Sequence, residues 1–159
     1  MPQKHFTTSF FFLTALFIIA FGLNWLWEMT QILAYAGIEE RSWIKVLINC
    51  SLASVGDGLL TVGVYLVAAF MLGRLRWDTN AAGLIIYPVM AFFGAVSAIA
   101  IELIALKSGF WSYQELMPIV PVLQVGLLPF LQLTLLPAAL WLAQWRHKQR
   151  TLINTIWKT

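Results

Sequence analysis

Charge is what this sequence has least of. Only 11% of its 159 residues are charged, whereas a soluble domain carries about a quarter. A water-facing surface for a soluble globule cannot be built from that supply. Cysteine is scarcer still. Cys50 stands alone, which excludes an internal disulfide, a paired-cysteine redox motif and zinc-type cysteine spacing. Histidine is confined to His5 and His147, both in terminal segments. This excludes intramembrane haem ligation by paired histidines, a multi-histidine di-iron site, and a Ser–His pair within the apolar spans. The sequence has no G-x-S-x-G, no H-E-x-x-H and no phosphate-binding glycine loop. No metal and no cofactor are expected.

What is present is apolar. Hydrophobic residues make up 60% of the chain and the mean hydropathy is +0.80, so lipid is the expected solvent. A membrane helix needs about 20 mostly apolar residues. The apolar runs predict four spans, at about 10–35, 46–72, 81–106 and 121–142. They are far too long for barrel strands, and only helices or closed barrels pair every backbone group internally. The expected fold is therefore an all-α integral membrane protein, a four-transmembrane-helix bundle forming a single membrane domain over 1–159. Lys4 before an apolar run and the A-x-A pattern of Ala34, Tyr35 and Ala36 raise the alternative of a cleaved signal peptide. The uncharged run 10–27 is longer than a usual signal core, which argues for a retained first span.

Lys and Arg set the expected orientation. Lys4, Arg74, Arg76, Arg146, Lys148, Arg150 and Lys158 fall on one side; Arg41, Lys45 and Lys107 fall on the other. Both termini are thus expected in the cytoplasm, in the plasma (inner) membrane. Trp77, Trp141 and Trp145 would mark the inner interface, and Trp43 and Trp111 the outer one. The basic tail 146–159 explains the net charge of +3 without nucleic acid. It suits anionic inner-leaflet lipid, with Ile153, Ile156 and Trp157 available to dip into it.

Polar residues inside the spans are the candidates for function. Offsets of 0, 4, 7 and 11 share a narrow helical stripe. Asn24, Glu28, Gln31 and Tyr35 have this spacing in span one, and Cys50, Ser54, Asp57 and Thr61 in span two. Ala91, Ala95, Ala98 and Glu102 have it in span three, a small-residue face that lets another helix approach or forms a homodimer. With the expected orientation, Glu28, Asp57 and Glu102 all lie in the extracytoplasmic half, Asp57 deepest. An acid inside a span costs at least a few kcal/mol and marks a function by default. The bland reading places Glu28 and Glu102 at the interface, or has each acid fixing packing through a hydrogen bond. Gly56 and Gly58, beside Asp57, suit a close ligand or a close helix.

The expected site is an extracytoplasmic cavity lined by Asn24, Glu28, Gln31, Ser54, Asp57, Glu102 and Gln124, with Trp27 and Trp111 as aromatic walls. Ser112 to Glu115 fits a capping box, so residues 107–121 suggest a short interfacial helix acting as lid, rim or aromatic anchor. Pro129 and Pro137 would free the carbonyls of Val125 and Leu133, with Gln124 and Gln132 as the main polar side chains of span four.

Three functions fit these parts. The first is a membrane protein that binds a hydrophobic, lipid or isoprenoid ligand, or an accessory subunit with a partner membrane protein. The second is a membrane-embedded isomerase or cyclase acting on an isoprenoid or sterol-like lipid. There Asp57, Glu28 and Glu102 are the candidate acid and base, and Trp25 and Trp27 would stabilise a carbocation. The third is a proton- or cation-coupled transporter using Asp57. The general plan, four spans carrying acids, is similar to that of membrane proteins of the emopamil-binding type, a likeness of architecture alone.

Overall fold

The computed structural model describes residues 2–73 and 82–140, with side chains from Phe10 onward in the first helix and from Ile86 onward in the third. The chain is mostly helical. Helix α1 runs Pro2–Gln31 and ends in a 3-10 turn, Ile32–Ala34. Helix α2 runs Trp43–Met71 and α3 runs Ala82–Ser108. A two-stranded hairpin follows, β1 (Ile119–Val120) and β2 (Val125–Gly126). Helix α4, shorter and apolar, occupies Leu127–Leu140. Within the first three helices, Phe10–Ala34, Trp43–Met71 and Ile86–Ser108 are long and apolar enough to cross a membrane. The 29 residues of α2 measure about 43 Å at about 1.5 Å per residue.

The helix ends follow from local chemistry. Ser42 caps α2 by accepting from the backbone N–H of Lys45 at 3.5 Å, which satisfies one donor of the first turn. Helix α3 closes at Gly109, whose φ of +69° is open to glycine without a Cβ penalty. The backbone N–H of Phe110 donates to the Ala105 carbonyl at 3.0 Å, and that of Gly109 to Leu106 at 3.3 Å. This is the paired bonding of a Schellman stop.

Two expectations about residues 107–126 and the fourth helix are overturned. Residues 121–126 are not helical, so α4 begins at Leu127 rather than at 121. Ile119 pairs with Gly126 and Val120 with Val125 in antiparallel register. The turn between them places Val122 at φ 70° and Gln124 at φ 56°. An apolar run reads as helix by hydropathy, but Ile119, Val120 and Val125 are β-branched and favour extended backbone. Two prolines, Pro118 and Pro121, interrupt any helical ladder there. The capping box at 112–115 also forms no helix. Tyr113 instead makes an antiparallel bridge to Tyr35: Ala36 donates its N–H to the Ser112 carbonyl and Gln114 donates to that of Ala34, each at 2.9 Å.

Pro129 stands in the first turn of α4, where its missing N–H leaves no helical bond unmade, and Val125 belongs to the hairpin. Pro137 does sit inside α4 and frees the Leu133 carbonyl. That carbonyl rests on Gly94 of α3, so closely that a Cβ there would lie 2.0 Å from the Leu133 oxygen. The buried face of α3 is correspondingly Ile86, Met90, Gly94, Ala98, Glu102 and Ala105, while Ala91 and Ala95 are only half-buried. The expected stripe shares Ala98 and Glu102 with this buried face, and Ala91 and Ala95 lie at its edge.

One end of the interior is apolar. Leu16 and Ala20 of α1 pack with Val64, Tyr65, Ala68 and Ala69 of α2, Ile86 and Met90 of α3 and Leu140 of α4. The Phe12 and Tyr65 rings lie 5.4 Å apart at its margin. Large apolar side chains such as Ile18, Leu26, Leu52, Leu59, Phe92 and Ile104 face outward. The expectations resting on Arg74, Arg76 and Trp77, on the tail 146–159 with Trp141 and Trp145, and on the Lys4 side chain lie outside the described residues.

Candidate functional site

The other end of the interior is polar, and the stripe of α1 builds it. Asn24 and Gln31 are buried and Glu28 is half-buried between them. On α2, Ser54 and Thr61 are buried and Asp57 is half-buried. The missing piece comes from α4. Gln132, 1% exposed, is the hub at which three helices meet. Its Nε2 donates to Asn24 Oδ1 and to Asp57 Oδ2, both at 2.9 Å. Its Oε1 accepts from Gln31 Nε2 at 2.9 Å. Gln31 spends its second donor on Glu28 Oε1 at 2.8 Å, and its own oxygen accepts from Trp27 Nε1 at 3.2 Å. Asn24 donates back to the Ala20 carbonyl at 2.9 Å.

The inventory of donors has a consequence. Each carboxamide has two N–H donors, and those of Gln31 and Gln132 are both used. Among the described residues, the hydrogen bonds to Glu28 and Asp57 come from the neutral amides of Gln31 and Gln132. Among the described residues the cations Arg41, Lys45 and Lys107 are exposed at helix ends. None of these three cations contacts the two carboxyls, which are hydrogen-bonded to Gln31 and Gln132.

Glu102 belongs to a neighbouring group. It is 3% exposed and meets the loop that follows α3. The Tyr113 hydroxyl donates to Glu102 Oε2, and Trp111 Nε1 donates to the same oxygen at 3.3 Å. The Tyr113 oxygen accepts from the Gly126 N–H at 2.8 Å. The Tyr35 ring lies 5.8 Å from that of Tyr113 and 6.2 Å from that of Trp111. Burial, together with the Glu102 carboxylate, pushes the Tyr113 phenol above its ordinary range. Burial does the same to Tyr35, helped by Glu102 and Glu28. Tyr113 therefore stays a proton donor to Glu102.

The structure thus brings Asn24, Glu28, Gln31, Trp27 and Asp57 into one network and puts Glu102 with Trp111 beside it. Ser54 lies under Asp57 on α2 but donates to its own helix, to the Cys50 carbonyl at 2.7 Å. Trp25 ties α1 to α2 through Ser51 Oγ at 3.2 Å. Gln124 departs from expectation: it sits exposed in the hairpin turn, because the helix that would have carried it starts three residues later. Gly58 meets Phe17 at 3.0 Å from an added Cβ, so it serves helix packing, while nothing approaches Gly56 within 4 Å. Gln132, Tyr113 and Tyr35 are central, yet sequence reasoning did not assign them to the site. For Gln132 the signal is its place as a polar side chain in an apolar run; its partners lie on two other helices. Among the described residues no three His, Cys, Asp or Glu side chains converge as a metal site requires.

No family model, no curated protein and no solved structure matches the chain, so what this site does is argued from its own residues.

Proposed function

We propose that the chain is a four-helix integral membrane protein with both termini in the cytoplasm of the plasma (inner) membrane. In this reading its extracytoplasmic-side cluster binds the polar head of a hydrophobic ligand of lipid or isoprenoid kind. The observation that carries the reading is the Gln132 hub: a carboxamide network from three helices converging on two carboxyls. In lipid, such a cluster costs free energy unless it is satisfied, and helices can associate through small-residue contacts without it. Two carboxyls with no cation from the described helices offer acceptors to a ligand that brings hydroxyl or N–H donors. The apolar outer faces of the helices would let its hydrophobic part remain in the bilayer. The basic tail adds contact with anionic inner-leaflet lipid.

The test compares wild type, Gln132→Leu and Asp57→Asn, purified in mild detergent, by native mass spectrometry and lipid extraction. A hydrophobic molecule should leave with wild type and be lost from both variants. If it is instead retained and chemically altered by wild type alone, the cluster is the acid–base centre of an isomerase or cyclase. If nothing specific accompanies wild type and both variants merely melt lower, the network is structural and the reading fails. Terminal reporter tags should be protected from externally added protease in intact cells; cleavage of either would overturn the orientation.

A further inference from the structure

Residues 110–126, a strap joining α3 to α4, meet the polar end of the interior at Glu102. Its inward residues are buried: Met117 is 3% and Val125 0% exposed. Its outward residues touch little, with Phe110 and Leu116 each 72% and Val122 93% exposed. Backbone hydrogen bonds anchor it to the helices it joins, Phe110 N–H to the Ala105 carbonyl at 3.0 Å and Leu127 N–H to the Pro118 carbonyl at 2.7 Å. Two backbone hydrogen bonds join it to the turn after α1, at Ala36 and Gln114. The side-chain hydrogen bonds from the strap to the helices, from Tyr113 and Trp111, end on one atom, Oε2 of Glu102. Tyr113 also accepts from the Gly126 N–H, so one phenol joins both halves of the strap to α3.

We propose that residues 110–126 form an access gate over the polar cluster, with the Tyr113–Glu102 hydrogen bond as its latch. This rests on the cluster being the ligand site proposed above. Concentrating the tie on one carboxyl oxygen makes the cover releasable: losing a single acceptor frees both Tyr113 and Trp111. The hairpin turn carries Val122 and Gln124 at positive φ, a conformation that persists in non-glycine residues only while surroundings hold it. An untied strap therefore has a conformational reason to leave. A hydrophobic head-group ligand would pass between the lifted strap and the turn after α1, beside the Tyr35 and Trp111 rings.

The protein carries its own reporter. Cys50 is its single cysteine, 1% exposed, on the α2 stripe that holds Asp57. The experiment pairs amide hydrogen exchange of residues 110–126 with the labelling rate of Cys50 by a small water-soluble maleimide, in wild type, Tyr113→Phe and Glu102→Leu. A hydrogen bond to a carboxylate is strong enough that its loss should speed exchange in the strap by about tenfold. Cys50 labelling should rise in step, while exchange in the middle of α1 and α2 stays unchanged. An independent variant pins the strap. Ala36 and Ser112 face each other across the bridge to Tyr35, and the pair Ala36→Cys with Ser112→Cys, oxidised, should slow Cys50 labelling in a native background and in Tyr113→Phe.

Unchanged strap exchange in the folded variants would overturn the latch. Faster strap exchange with unchanged Cys50 labelling would overturn the gate. Pinning without effect on Cys50 would do so too, even if the substitutions at the latch prevent folding. Neither readout uses a ligand, so absence of a co-purifying molecule refutes the binding reading and leaves these results standing.

Discussion

Between the same helices lie two interiors of opposite chemistry. Around Leu16, Ala20, Val64, Ala68, Ile86, Met90 and Leu140 the helices meet through shape alone. Around Asn24, Gln31, Asp57 and Gln132 they meet through hydrogen bonds that cross from α1 to α4 and from α4 to α2. In lipid the first kind of contact has no hydrophobic driving force, because acyl chains are as apolar as leucine. It is held by van der Waals fit. The second kind is directional and sets which residue faces which, yet each polar group left without its partner costs about 1–3 kcal/mol. The contrast is between contacts held by shape and contacts held by direction: the apolar end fits the helices together, and the polar end fixes which residue faces which.

Substitutions can break or sharpen that contrast. The largest effect belongs to the helix approach between the two ends. Gly94→Ala places a Cβ 2.0 Å from the Leu133 oxygen, a backbone atom that cannot swing away. We expect loss of the folded monomer on size exclusion in detergent, beyond the about 1–3 kcal/mol of ordinary overpacking. At the apolar end, Met90→Ala should cost about 2–5 kcal/mol, read as a lowered unfolding midpoint, with any bound hydrophobic molecule retained. At the polar end, Gln132→Leu strands Asn24 and Asp57 and should cost about 1–3 kcal/mol. Combining it with Asn24→Leu should cost less than the sum of the two single changes; additivity would contradict a shared hub. The smallest effect belongs to Gly56→Ala. Nothing lies within 4 Å of that position, so stability should move by no more than about 0.5 kcal/mol. A large loss there would show that a partner helix covers the face.

The sequence was readable where one periodicity acted alone. Three long apolar helices follow from hydropathy, and the spacing of Asn24, Glu28 and Gln31, or of Cys50, Ser54 and Asp57, puts each set on one helical face. It was misleading where two preferences competed. Residues 119–126 are apolar enough for a span, but their β-branched side chains and Pro121 make a hairpin, which moved Gln124 out of the site and left Gln132 in it. The box at Ser112 and Glu115 is a local helix signal overridden by a distant partner, Tyr35. The Tyr113–Glu102 bond joins a loop to a helix, and no spacing rule in a single sequence announces such a pair. Gly94 was hidden for the same reason, since its meaning lies in a carbonyl of another helix.

The central claim is that the polar end exists for a ligand rather than for stability. The most direct test is Asp57→Asn, which keeps size and one acceptor oxygen while removing the carboxyl. Ligand retention by native mass spectrometry and thermal midpoint should be measured on the same preparations. The account predicts loss of the bound molecule with a midpoint equal to or above that of ligand-free wild type. A lowered midpoint with ligand occupancy unchanged would contradict it, and would make the cluster a device for packing helices.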